Sequence, residues 1–322
     1  MGTLYGFNAF LKISEEVTWG IAVTSNQSEI RLNSCSLQTA QERNRKTNLS
    51  VPTSGMLASV YDGFRTAGGS LDIPIQYNGS GQLIKMALGA ATTTSVGAEY
   101  LHEYTPAFDL PSGTIQFQRG TNLTDSMEQF TGAKVSSMSM SCEAGGEMTA
   151  SFDIIAKDSA ARTTNMTSTF PAGDSVLHFE SGNLVMGGSL TTASMELRSF
   201  ELTLDNKLER KNILGSKLTA EPLISDVREV TMSVTADLDD NTVYNDSLSD
   251  AAGLVSITFT STAEPTQFLI IELDNAIIED YSDSVTSFGR VERTFSIRGL
   301  ASTATGLKIS IRNANAQATY GP

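Results

Sequence analysis

Along most of this chain, apolar and polar residues alternate one by one. The runs "GGSLDIPIQYN" (68–78), "GTIQFQRG" (113–120), "VSSMSMSCE" (135–143), "MTASFDIIAKD" (148–158), "SVLHFESG" (175–182) and "SFELTLDN" (199–206) have a period near two. So do "EVTMSVTAD" (229–237), "LVSITFTST" (254–262), "FLIIELDN" (268–275), "ERTFSIRGL" (292–300) and "GLKISIRNA" (306–314). Successive side chains of a strand point to opposite faces, so each run predicts a strand with one face buried. Helical spacing is scarce. "QLIKMALGA" (82–90) puts Leu83, Met86, Ala87 and Ala90 on one face, with Gly89 as a stop, and "TVYNDSLSDAAG" (242–253) is a weaker candidate ending at Gly253.

The order of these elements recurs. "SLQTAQERNRK" from Ser36 aligns with "FELTLDNKLERK" from Phe200, and each is followed by a long loop, an alternating run and a helix candidate. The offset stays near about 160 residues. A second hairpin follows in each half: 135–158 turns tightly at Gly145-Gly146, and 268–301 turns through the longer acidic "NAIIEDYSDSVTSFGR" (275–290). The expectation is a mainly β chain of two tandem copies, 1–160 and 161–322, each with one short helix and one long loop.

Composition narrows the function. At 322 residues the chain buries a large core without staples, and its two cysteines, Cys35 and Cys142, read as reduced thiols in strands. The N-terminus "MGTLYGFNAFLKISEEVTWG" has neither a basic leader nor a sustained apolar core, and no run reaches about 18 apolar residues, so a chain made in the cytoplasm with no membrane span is expected. The net charge of -14 argues against a basic groove gripping nucleic acid, which is built from Lys and Arg that displace counterions.

Candidate chemistry is thin. The two histidines are His102, in "EYLHEYTP" and expected in a loop, and His178, expected on a strand face. No nucleophile elbow, phosphate loop, dinucleotide fingerprint or zinc spacing occurs. "DLDDNTVYNDSL" (237–248) starts like a calcium loop, but Thr242 stands where Gly is needed and Leu248 where the bidentate Glu belongs. Neighbouring carboxylates such as Glu15 and Glu16 point to opposite faces of a strand. No catalytic, cofactor-binding or metal-binding residue is assigned, and no enzyme is expected.

Two long loops, 41–67 and 207–229, carry the functional expectation instead. Each opens with a basic cluster, Arg43, Arg45 and Lys46 in one and Lys207, Arg210 and Lys211 in the other. Each also carries apolar residues without strand alternation: Leu57, Tyr61 and Phe64; Leu218, Leu223 and Ile224. Loops of this length in compact domains are usually functional or disordered, and these are too apolar for disorder. They are expected to contact another copy of the chain.

Three stretches resemble the tail tube (major tail) proteins of long-tailed bacteriophages: "ISEEVTWGIAV" (13–23), with Glu15, Glu16, Thr18 and Gly20; "FTGAKVSSMSMSCEAGGEMTASFDIIA" (130–156); and "SMELRSFELTLDNKLER" (194–210). The resemblance implies tail-tube-like β-sandwich or barrel domains whose inner sheet joins neighbours into a closed barrel. Rings of such subunits stack into a hollow tube in the virion tail, with the long loops touching the adjacent ring. It implies an acidic lumen that lets double-stranded DNA slide during ejection, and as partners the chain itself plus tape measure, tail tip and terminator proteins. With two copies per chain, a ring of three chains is expected. A surface decoration or binding module would share the β composition; a carbohydrate-active protein would need aromatic platforms, and this chain has one Trp and 7% aromatics.

Overall fold

In a computed structural model of the chain, the described residues form twenty strands and two short α-helices. It describes residues 9–25, 27–45, 60–120, 127–162, 166–167, 176–188, 197–237, 241–249, 252–262, 264–282, 292–301 and 306–316. The first half contains β1 (Phe10–Glu15), β2 (Ser28–Ile30), β3 (Ser34–Cys35), β4 (Gln38–Arg45), β5 (Val60–Pro74), α1 (Gly81–Leu88), β6 (Gly89–Val96) and β7 (Glu99–Pro106). It continues with β8 (Gly113–Gln118), β9 (Met127–Glu143), β10 (Thr149–Ala156) and β11 (Asp158–Arg162). The second half contains β12 (Gly182–Gly188), β13 (Leu197–Asp205), β14 (Leu208–Lys211), β15 (Ala220–Ile224), β16 (Glu229–Asp237) and α2 (Thr242–Ser247). It ends with β17 (Gly253–Thr260), β18 (Phe268–Ser282), β19 (Glu292–Gly299) and β20 (Leu307–Asn313).

The ladders between these strands are antiparallel. In the first half they run β2–β1–β8–β9–β11 through the start of β9, and β9–β10–β5–β4 through its end. In the second half they run β12–β17–β18–β20 and β18–β19–β16–β13. Irregularities fall at matching places. Ser136 is passed over where β9 pairs with β10, and Glu279 where β18 pairs with β19. The β8–β9 ladder jumps from Ile115↔Phe130 to Gly113↔Ala133, and the β17–β18 ladder from Val255↔Leu273 to Gly253↔Ala276. Among the described residues two ladders join the halves, β9 with β13 and β7 with β20.

In strands such as β10, β13, β16 and β17, alternation puts one face inside. Ala150, Phe152, Ile154 and Ala156 of β10 meet Met138 and Met140 of β9 and Leu71 and Ile73 of β5 in a core that continues through Phe200, Leu202, Val234, Phe295 and Ile297 of the second half. Helix α1 sits in this core with every residue buried but Lys85, whose ammonium reaches Glu15 at 2.6 Å. The helix stops at Gly89, whose φ of 114° few other residues tolerate.

Several elements differ from the sequence expectation. "SVLHFESG" forms bridges at Val176 and His178 and a 3₁₀ turn at Phe179–Ser181, not a strand. The expected loop 41–67 is strand up to Arg45 and again from Val60, and residues 92–106, which carry no clear alternation, belong to the β6–β7 hairpin. The second helix ends at Ser247, short of Gly253.

Glu16 in the Glu-Glu-x-Thr-x-Gly stretch turns out to be a structural lock. Its buried carboxylate accepts from Gly20 N at 2.7 Å and Ser112 Oγ at 2.9 Å on one oxygen, and from Thr114 Oγ1 and Gly132 N at 2.8 Å on the other. Trp19 Nε1 donates to Gly132 O at 3.2 Å, and Lys157 lies over its ring at 4.8 Å. Gly132 has a φ of +65° and no room for a Cβ beside the indole. Replacing Glu16 with Ala strands four donors, and hydrogen bonds to a charged group contribute about 1.5–3 kcal/mol each. Glu16→Ala is expected to lower stability by about 3 kcal/mol or more in urea unfolding, with Glu16→Gln less damaging.

His102 lies fully buried in β7, not in a loop, and β20 pairs alongside it with Ile311 opposite. Its Nε2 donates to Asn315 O at 2.9 Å and faces Asn313 Oδ1 at 3.2 Å, and its Nδ1 accepts from Thr93 Oγ1 at 2.9 Å. Burial lowers its pKa, against the opposing effect of the Asn315 and Asn313 bonds. The unfolded value is about 6.5, so below it the unfolded chain takes up a proton that the folded chain resists. The seam's contribution should be complete above about pH 6.5 and decline as the pH falls below it. Urea midpoints at pH 7 and pH 5 should differ more for the native chain than for His102→Gln; equal differences would remove His102 as the cause.

Candidate self-assembly surfaces

The seam between β9 and β13 is a working example of how one half of the chain holds the other. Seven register pairs run from Ser137↔Asp205 to Glu143↔Ser199. Just beyond them Asn206, fully buried, donates its amide to Ala87 O at 2.8 Å and Val135 O at 3.1 Å, so it ties β13 to the end of α1 and to β9. Lys207, with a φ of 50°, turns the chain away from the sheet and pairs with Asp205 and Glu229 at 2.8 and 3.0 Å.

Past that turn the β14–β15 hairpin lies on the first half. The guanidinium of Arg210 donates to Ala67 O at 2.6 Å and Ala156 O at 3.3 Å, passing over Gly68, where a Cβ would meet Ile154 O at 2.2 Å. Lys134 reaches Glu221 at 2.7 Å. At the tip, Arg65 N donates to Lys217 O at 2.8 Å, Leu218 bridges Arg65, and Lys217 pairs with Asp62 at 2.7 Å.

The sequence-predicted contact residues therefore divide. Lys207 and Arg210 are engaged with their own chain, and Leu218 and Ile224 are half-buried. Arg43, Arg45, Tyr61, Phe64, Lys211 and Leu223 are exposed or nearly so, with Tyr61 at 60% and Leu223 at 57%. Arg43, Tyr61 and Arg45 share the β4–β5 hairpin, where Arg43 opposes Asp62 and Arg45 opposes Val60. Lys46 and Leu57 lie outside the described residues.

Sequence reasoning missed a third feature, an open groove of about 710 Å³ with Pro106, Phe108, Leu204, Val227, Val230 and Leu300 among its walls. Phe108 is 96% exposed and Val227 79%. Their exposure had no signature because neither sits in an alternating run. Arg228 closes one side by donating to Ala107 O. Among the described residues, no group of three or more His, Cys, Asp or Glu is placed to hold a metal ion, and no helix is long and apolar enough to cross a membrane. Both cysteines are free, and burial pushes the Cys35 thiol up to about 11.

A family model described as phage tail tube protein matches residues 6–308. The chain belongs to the phage tail tube protein family. No curated protein matches it. Membership makes it a structural component of the virion tail that self-assembles with other tail components, and the mainly β architecture agrees with that fold. In a tail tube protein the exposed hairpins, the groove and the unpaired strand edges are candidate surfaces for self-assembly.

Both polar locks of the internal seam are open to test. Asn206→Ala removes a buried donor from two main-chain carbonyls, and a buried group left unsatisfied costs about 1–3 kcal/mol. Arg210→Ala removes two further bonds on a more accessible group. Thermal melts should place Asn206→Ala below Arg210→Ala, and both below the native chain. A native-like melt for Asn206→Ala would show that the seam does not depend on this amide.

Proposed function

We propose that residues 1–160 and 161–322 are two copies of one tube domain, and that three chains close a ring with six such domains around a hollow bore. The matching ladder order and the matching bulges at Ser136 and Glu279 are the observations that carry this reading. A covalent pair built this way needs half as many chains per ring as a single-domain subunit. Closing the sheet around the ring removes its exposed edges, which otherwise invite uncontrolled pairing.

Rings stack into a tube along which double-stranded DNA leaves during ejection. The net charge of -14 supports an acidic bore, because like charge gives the phosphates no cation to exchange for counterions. Ring-to-ring contact falls to the hairpin residues that remain exposed, Tyr61, Phe64 and Leu223 with Arg43 and Lys211 beside them. Terminator, tail tip and tape measure proteins meet the ends and lumen of the tube, and the chain performs no catalysis.

Averaged electron micrographs of assembled tubes test the ring. Three chains per ring with pseudo-sixfold density and a bore lined mainly by Asp and Glu are expected. Six chains per ring would overturn both the trimer and the two-copy reading, leaving one tube domain with an appended second domain. The stacking contact is tested separately: Tyr61→Glu with Leu223→Glu should leave a folded chain that forms rings but not tubes, and normal tubes would make the hairpins surface ornament.

A further inference from the structure

The internal seam is also a template for the contact between chains, and it specifies residues. Opposite the bulges, Ser137 pairs with Asp153 and Asp280 with Ser296, which makes Ser137 and Asp280 counterparts. One strand further, Phe152 faces Leu71 and Phe295 faces Val234. One more, Leu71 faces Cys35 and Val234 faces Phe200, which makes Cys35 and Phe200 counterparts. Arg45 follows Cys35 by the same ten residues as Arg210 follows Phe200. The two chain segments also break at the same place, with a register shift between Gln41 and Arg43 in one and the positive φ of Lys207 in the other.

Arg210 sits on a specific triple in the first half. Thr39 and Ala156 flank Ala67 on neighbouring strands, and the guanidinium binds the carbonyls of Ala67 and Ala156. The same walk across the second half leads to Leu204, Val230 and Gly299. All three line the open groove. The groove thus lies where the counterpart of the Arg210 site lies, while the exposed Arg45 projects from β4, whose one ladder among the described residues is to β5.

We infer that the groove at Leu204, Val230 and Gly299 receives Arg45 of a second copy of this chain, whose β4 continues the sheet along the end of β18 with Ser282 opposite Gln38 and Asp280 opposite Ala40. The register is that of the internal seam, where Ser139 opposes Thr203 and Ser137 opposes Asp205. In it the Arg45 guanidinium donates to the carbonyls at Val230 and Gly299, as Arg210 does at Ala67 and Ala156. The groove's apolar walls suit the three-carbon stem of an arginine, and main-chain carbonyls suit the head. The chain's excess of acid does not oppose the contact, because the incoming cation meets main-chain acceptors in a groove whose lining also includes Asp226 and Arg228, one charge of each sign.

This inference rests on the ring-forming reading above, and one experiment separates the two. In a Cys35→Ser, Cys142→Ala background, cysteines are placed at Gln38 and Ser282, and in a control at Thr39 and Ser282. Residues directly opposite on neighbouring strands come within disulfide reach with side chains on one face, and a one-residue shift puts them on opposite faces. Oxidised tubes are expected to yield covalent dimers and closed trimers for Gln38/Ser282 and at least tenfold less product for Thr39/Ser282. Arg45→Ala should raise the protein concentration needed for assembly about tenfold or more, with Arg45→Lys intermediate; tenfold corresponds to about 1.4 kcal/mol. Tubes that form normally but cross-link equally in both pairs, or that ignore Arg45→Ala, overturn the inference and leave the ring intact. A native chain that forms neither rings nor tubes at any concentration overturns the ring as well.

Discussion

A strand of seventeen residues that belongs to two sheets at once is the constraint on which the rest of this structure depends. At about 3.3 Å per residue β9 is some 55 Å long. A twisted sheet cannot keep the same partners over that length, so β9 changes them: β8 and β11 at its start, β10 and β13 at its end. The change needs a backbone that turns without losing its hydrogen bonds. Gly132, at φ +65°, and the bulge at Ser136 supply the turn, and Glu16 and Trp19 satisfy the amide and carbonyl that Gly132 withdraws from the ladder. The short N-terminal stretch that resembles the family earns its place here, as the clamp on the kink in the longest strand.

The second half solves the same problem with other residues. β18 also changes partners midway, from β17 and β20 to β19. Asn275, one residue before the shift at Ala276, donates its amide to Ala301 O at 3.1 Å, and its own carbonyl accepts from Leu300 N at 2.8 Å. An amide side chain thus replaces a glycine held from outside. The two bent strands share the place where partners change and differ in how it is held, Gly132 at a φ of +65° in one and Asn275, without a positive φ, in the other.

How much of this was legible in the sequence follows from the same facts. Strands with one wet face, such as Glu229–Asp237, wrote themselves as alternation, and the long hairpins of both halves were visible from it. β4 was not, because both of its faces are largely exposed and Gln38–Arg45 has no apolar side to repeat. β6 is equally polar, and β7 reads as irregular because His102 takes an inward position that an apolar residue usually fills. Of the predicted contact residues, sequence found the basic clusters, but periodicity carries no information about which cation stays with its own chain. Arg210 and Arg45 look alike in a string of letters, yet Arg210 binds the carbonyls of Ala67 and Ala156 and Arg45 is exposed. The groove was invisible for a related reason: its walls come from distant segments, and the pattern within any one of them does not show that they meet.

The two seams of the chain differ in a way that bears on when assembly occurs. Inside the chain, the halves are joined twice, by β9 with β13 and by the β6–β7 hairpin, whose β7 edge pairs with β20 around His102. The β6–β7 hairpin is inserted between α1 and β8; α2 ends at Ser247 and β17 begins at Gly253, too close in sequence for a matching pair of strands between them. On the proposed ring, a contact between chains therefore has the β18 edge and the groove but no second hairpin. It is the weaker of the two kinds of junction, and it also lacks the advantage of being intramolecular, where the partner is present at a high effective concentration. On the proposed ring the order of events follows: the internal seam closes before the contacts between chains, and the polar, two-sided-exposed β4 edge opposes indiscriminate pairing meanwhile. A tube built from pre-joined pairs has half as many weak junctions to make per ring as one built from single domains, and every weak junction is of one kind.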